Sequence, residues 1–327
     1  MLTPRQNVVE VMRGGNPDRF VKQFEFFEMV MDPLPGFGGM PEPGGTAVDD
    51  WGVTTIWPEG VITPFPMHDD EHKVVKDIRH WRDYVHAPSL ETTDEAWADA
   101  IEAEKSWDRE SKWYATFAIP GLFEKMHYLM SMNDALVNFY EAPDEMHELI
   151  DFYVDFLCRR CETVFKYISP DMLMYGDDMG THRSTFISPE MYKEFFLPGV
   201  KKIIGLCREK GVELVYYHND SYSATLVPYF IEAGIDIWQG PVTNNNVSEL
   251  IKEYGGQITF MGDIDSGIVD TPEWTPEIIE REVRRACTEN GKLYFIPSMT
   301  MAMAPGLYEG VTECIDENID KMTAEMF

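Results

Sequence analysis

The chain has 327 residues, and its 27 Lys and Arg stand against 57 Asp and Glu, a formal net charge of −30. That charge leaves no footprint for nucleic acid, whose binding rests on neutralised phosphates, and it is repelled by anionic membrane surfaces. At 44% hydrophobic and 13% aromatic, the sequence is too apolar for a disordered acidic chain, and its length suits one large α/β barrel or two ordinary domains.

The opening MLTPRQNVVEVMRGG lacks the basic and then apolar pattern of a secretory signal. No apolar run nears the ~20 residues of a membrane span. Five scattered cysteines (Cys158, Cys161, Cys207, Cys287 and Cys314) argue against a disulfide framework and for a reducing compartment. The expectation is a cytoplasmic protein. Cys158 and Cys161 form a CxxC inside a helical pattern, without a second pair or a nearby His, and read as idle thiols. Residues 32–70 are rich in Pro and Gly and predict loops, caps and a lid. A helical pattern follows over 92–110.

From residue 113 the texture changes. Short apolar runs at 113–119, 171–176, 212–218, 235–240, 257–262 and 292–297 alternate with amphipathic segments, the signature of parallel βα units. Gly211, Gly234, Gly255 and Gly291 stand where the helices stop before the next strand. No GxGxxG follows a strand, so a dinucleotide-binding sheet is disfavoured. Polar residues at the ends of many strands favour a single (β/α)8 TIM barrel, with 1–112 as N-terminal helices, loops and lid and 113–327 as the main repeats.

Four clusters sit at those strand ends. Tyr175, Asp177, Asp178, His182 and Arg183 form the first. Alternation along the chain aims Asp177 and Asp178 differently, one at the cavity and one at a turn. His218 and Asp220 form an HxD pair that suits a metal or a base with its orienting partner. Trp238 and Gln239 offer an aromatic wall and an amide. Asp263 and Asp265 alternate in MGDIDS. Elsewhere, Glu25 ends an expected first strand and looks into the barrel mouth, and Trp51 contributes a lid or pocket wall. Met299, Met301 and Met303 alternate as a soft apolar surface after the last strand. Each has a plain structural counterpart: caps and turns for the acids, a carboxylate-satisfied His, and core packing for Trp238 and the methionines.

The blocks DDWGV, YGDDMGTHRSTFISPEMYKEFFLPGVKKII, HNDSYSATLVPYFIEAGIDIWQGPV and MGDIDS resemble, in order and spacing, the uroporphyrinogen decarboxylase superfamily, as does the opening TPRQNVVEVMRGGNPDRFV. The resemblance implies a single barrel. Its true decarboxylases carry an Arg-rich N-terminal block, where this chain has only Arg13 and Arg19; a polyanionic tetrapyrrole wants converging Arg side chains. Its cobalamin-dependent branch includes thiol-methylating members that hold zinc through His-x-Cys and a distant Cys. Here Asp220 stands in the Cys position, and Ser298, Met299, Thr300 and Met301 occupy the region of the distant Cys. A harder His218/Asp220 site remains open to zinc or another divalent ion.

The resemblance then implies a methyltransferase that moves a methyl group from a small methylated donor, such as a methoxylated aromatic, to a corrinoid on a partner protein. His218, Asp220 and Asp177 would be catalytic. Glu25, Trp51, Tyr175, His182, Trp238, Gln239, Asp263, Met299 and Met301 would bind substrate. Uroporphyrinogen decarboxylation and a non-catalytic ligand-binding barrel are the alternatives.

Overall fold

The computed structural model describes residues 1–35, 40–61, 63–301 and 306–327. Ten strands occur among the described residues, in chain order: β1 (Phe27–Met29), β2 (Thr46–Val48), β3 (Thr54–Ile56), β4 (Phe65–Pro66), β5 (Trp113–Ala118), β6 (Met172–Gly176), β7 (Leu214–His218), β8 (Ile237–Gln239), β9 (Thr259–Ile264) and β10 (Phe295–Met299). Seven of them make one parallel sheet in the order β1-β5-β6-β7-β8-β9-β10. The apolar runs expected from residue 113 onward all contain strands, and helices fill the intervals.

The sheet curls. The rings of Phe27 in β1 and Tyr216 in β7 are 5.3 Å apart. Three strand spacings in a flat sheet would separate those strands by about 14 Å. The concave side carries Phe27, Trp113, Phe117, Met174, Leu214, Tyr216, Ile237, Met261 and Ile296. Val8 and Val11 of the helix Pro4–Arg13 join this cluster. That helix starts at a capping box in which Thr3 and Gln6 satisfy each other's backbone amides. The convex side packs on the helices through Leu173, Tyr175, Val215, Tyr217, Trp238 and Phe260.

The sequence led us to expect eight strands in a closed ring. Among the described residues the sheet has seven, and its edge strands β10 and β1 share no ladder. The segment before β1 reaches β10 through a side chain instead: Gln23 Oε1 accepts from the Met299 amide at 3.4 Å.

Residues 32–70, expected as loops, contain the antiparallel sheet β2-β3-β4. Strands of two or three residues are too short to display a period. Asp49 follows β2 and accepts from the amides of Trp51 and Val53, both at 2.8 Å. Gly52 sits in this turn at φ +80°, where a side chain would be strained. Trp51 packs edge-on against Tyr153 and Phe156 of the helix Pro143–Tyr167, and the ammonium of Lys125 lies over its ring at 4.9 Å. This cap thereby rests on the body beside the helix Leu122–Met130, to which Lys125 belongs. No helix among the described residues is long and apolar enough to cross a membrane.

Candidate functional site

Gly176, His218 and Gln239 lie side by side in register at the C-terminal ends of β6, β7 and β8. His218 follows Leu214 and Tyr216 on the concave face, and Gln239 follows Ile237, as period two requires. The amide nitrogen of Gln239 points at the carbonyl oxygens of Met299 and Thr300, at 3.2 and 3.4 Å. Those oxygens only accept, so the nitrogen is the donor and Oε1 faces His218 Nδ1 at 2.5 Å. Nδ1 must then carry the imidazole proton, and in the neutral ring Nε2 is left with its lone pair.

Asp178 and Asp220 complete the site. Each of Asp178, His218 and Asp220 offers a ligand atom, these atoms lie within 4.8 Å of one another, and all three residues are half-buried. The Asp220 amide donates to Asp178 Oδ1 at 3.0 Å, which ties the loop after β7 to the loop after β6. Burial and then the charge of Asp220 push the Asp178 carboxyl up to about 7, against the pull of His218. One imidazole nitrogen and two carboxylates, with no thiolate, form a donor set for a borderline or hard divalent ion such as zinc.

Asp177 has another task. Its carboxylate accepts from the amides of Phe123 and Glu124 at 3.1 and 2.9 Å, and from the Tyr175 hydroxyl at 2.9 Å. It caps the first turn of Leu122–Met130 and is fully enclosed. Burial raises its carboxyl to about 6, although these donors oppose the shift. The cap holds Glu124 near the cluster. Glu124 is half-buried and accepts from the Tyr128 hydroxyl at 3.0 Å. Burial, then the charges of Asp178 and Asp177, push its carboxyl well above the usual carboxylate range. Our sequence reading left the choice between Asp177 and Asp178 open and assigned catalysis to Asp177. It missed Glu124 and Tyr128 altogether, because they come from a helix with no motif of its own.

Several expected substrate contacts lie elsewhere. Tyr175 and Trp238 are on the convex face: Tyr175 stacks on Tyr217, and the Trp238 indole donates to Asn219 O at 2.9 Å while packing edge-on to Phe230 and Phe260. Met299 is likewise buried among helix-side residues. Met301 is half-buried, its amide bonded to Ser266 Oγ at 3.1 Å, and Met303 lies outside the described residues. Asp263 adopts φ +62° after Gly262, which breaks the alternation and turns its carboxylate to Arg285 at 3.0 Å and Asn290 at 2.7 Å. Glu25 precedes β1 rather than ending a strand, and pairs with Arg19 at 2.5 Å. Trp51 is enclosed between cap and helix, and His182 is exposed in the loop after β6, with its carbonyl accepting from Asn244 at 2.8 Å. Of the residues singled out, His218, Asp220 and Gln239 come together, joined by Asp178.

The family model for uroporphyrinogen decarboxylase (URO-D) matches residues 117–309, well over half of the 327. The chain belongs to the uroporphyrinogen decarboxylase family. The matched stretch carries every residue of the His218 cluster. Among solved structures, this URO-D family member is similar to a methyltransferase from Methanosarcina mazei, with a TM-score of 0.63 and 12% identity over 98% of this chain and 99% of that one. At that identity the likeness speaks for the fold. No curated protein matches the sequence.

Proposed function

We propose that the protein is a cytoplasmic corrinoid-dependent methyltransferase, taking a methyl group from a small methylated donor and passing it to the corrinoid of a separate carrier protein. Membership of the family and the fold shared with the Methanosarcina mazei methyltransferase support a methyl-transfer enzyme. The observation that carries the reading is the convergence of Asp178, His218 and Asp220 at the barrel mouth, with the histidine tautomer set by Gln239. We infer further that the curled sheet closes into the family's barrel, with residues 20–26 beside β10.

Asp178, His218 Nε2 and Asp220 would hold a divalent ion. When bound, the ion supplies Lewis acidity to an oxygen of the donor, which matters because a methyl ether has a poor leaving group. Gln239 orients the imidazole, and the Asp220 amide orients Asp178. A neutral Glu124, with Oε1 accepting from Tyr128, would keep its proton on Oε2 for the departing oxygen. Tyr175, Trp238 and Met299, expected to bind substrate, take no part in this chemistry, since these side chains face the helices.

Uroporphyrinogen decarboxylation finds less support. Arg13 lines a groove with Trp113, Leu214 and Thr259 at the opposite end of the barrel, and Arg19 is paired with Glu25. The engagement of Asp177 and Asp263 in a cap and an ion pair is what a non-catalytic barrel would have, but the Asp178 cluster is not so consumed. The test gives purified protein a reduced corrinoid carrier and a panel of methoxylated aromatics. Methyl-cobalt absorbance is expected with at least one donor, and its absence across the panel would end the proposal.

A further inference from the structure

The cap sheet has two faces, and its register sorts the residues between them. Thr46 is opposite Ile56, Ile56 is opposite Phe65, and Val48 is opposite Thr54, so these five share one face. Ala47, Thr55 and Pro66 share the other, which is half-buried or buried. On the first face Val48 is 60% and Phe65 47% exposed. A solvent-facing antiparallel sheet normally turns polar residues outward; this face carries Val48, Ile56, Phe65 and two threonines, and no charge. Val61, whose carbonyl accepts from the Trp57 indole at 2.8 Å, adds a further exposed apolar side chain five residues after Ile56.

The charges carried by the cap itself have one sign. From Lys22 to Lys73 the sequence contains no Lys or Arg, and the stretch between them holds ten Asp and Glu. Within the cap Glu42, Asp50 and Glu59 are exposed, and none joins an ion pair among the described residues. The cap also stands at the barrel mouth. Asp49 Oδ2 lies 3.9 Å from Lys125 Nζ, and Lys125 follows Glu124 in the helix turn capped by Asp177.

We propose that the outer face of β2-β3-β4 docks a protein partner with an apolar centre and a rim of Lys and Arg. Under the functional reading above, on which this identification rests, that partner is the corrinoid carrier. An apolar centre in a charged rim is the anatomy of a specific interface, and the acidic rim steers a basic one. A second copy of this chain fits poorly, because a two-fold contact would set the same acids against one another.

The test measures the dissociation constant of the purified corrinoid carrier of the same organism for wild type, V48T/F65T and E42Q/D50N/E59Q, at low and high salt. Methyl transfer to free cob(I)alamin and a melting curve are recorded for each. V48T/F65T is expected to weaken carrier binding at least tenfold. E42Q/D50N/E59Q is expected to flatten its salt dependence. Transfer to free cob(I)alamin stays unchanged in both. Equal carrier affinity in all three proteins, no carrier binding by wild type, or a wild-type dimer that V48T/F65T dissolves would overturn the docking proposal. Failure of wild type to transfer methyl to either acceptor would overturn the functional reading, while the affinities still decide the docking one.

Discussion

Gln239 Oε1 accepts from His218 Nδ1 at 2.5 Å, while Gln239 Nε2 is committed to the carbonyls of Met299 and Thr300. The last strand of the sheet thus fixes the amide, the amide fixes the imidazole, and Nε2 keeps its lone pair in the cluster with Asp178 and Asp220. Partners of this kind commonly change metal affinity about 10–100-fold when removed. Q239L is therefore expected to weaken zinc binding by that factor, measured by competition with a chromophoric chelator. It also strands the Thr300 carbonyl, while Met299 O keeps the Ser298 hydroxyl, at a cost of about 1–3 kcal/mol in urea unfolding.

The neighbours Asp177 and Asp178 separate structure from site. D177A leaves the Phe123 and Glu124 amides and the Tyr175 hydroxyl without their acceptor, so it is expected to lower stability by about 1–3 kcal/mol and to retain the metal. D178N is expected to melt near wild type and to lose the metal and methyl transfer. Parallel melting curves and metal analysis decide; the opposite assignment would place catalysis on Asp177.

Most of the fold from β5 onward was legible, because buried parallel strands are continuous apolar runs and Gly234 (φ +88°) and Gly291 (φ +76°) mark helix ends. The HxD pair was legible too. What a strand end hides is direction. Trp238 precedes Gln239, and one residue of register sends the indole to the helices and the amide to the mouth. Asp263 should face inward by alternation, but its positive φ turns it away. Glu124 reaches the site only through tertiary packing, which no local pattern encodes.

The same register argument makes Trp238 a stability residue. W238F removes the hydrogen bond to Asn219 O and leaves a void beside Phe230 and Phe260. It is expected to cost about 1–3 kcal/mol with the donor KM unchanged. A raised KM at wild-type stability would return Trp238 to the substrate pocket.

His127 gives a pH signature. Burial, then the charge of His68, pushes its imidazole down to about 3, and its Nδ1 has no hydrogen-bond partner among the described residues. The folded-state value lies below the ordinary 6.5 of the unfolded chain, so the unfolded chain takes up the proton first and stability falls as pH drops below 6.5. Asp177 and Asp178, with raised values, act in the opposite direction. The difference between wild type and H127F isolates the histidine. On going from about pH 7.5 to about pH 5.5, wild type is expected to lose about 1.4 kcal/mol more than H127F, because the end point lies about one pH unit below the value at which the unfolded histidine protonates. Identical pH slopes in urea unfolding would contradict the burial argument.

The central claim is that Asp178, His218 and Asp220 hold one divalent ion. The most direct measurement is the metal content of purified protein after exhaustive dialysis against zinc-supplemented buffer and gel filtration, for wild type, H218A and D178N. The account predicts one ion per chain in wild type and none in either variant, with all three proteins folded by circular dichroism. A wild-type protein without metal, or full occupancy in H218A, would contradict it.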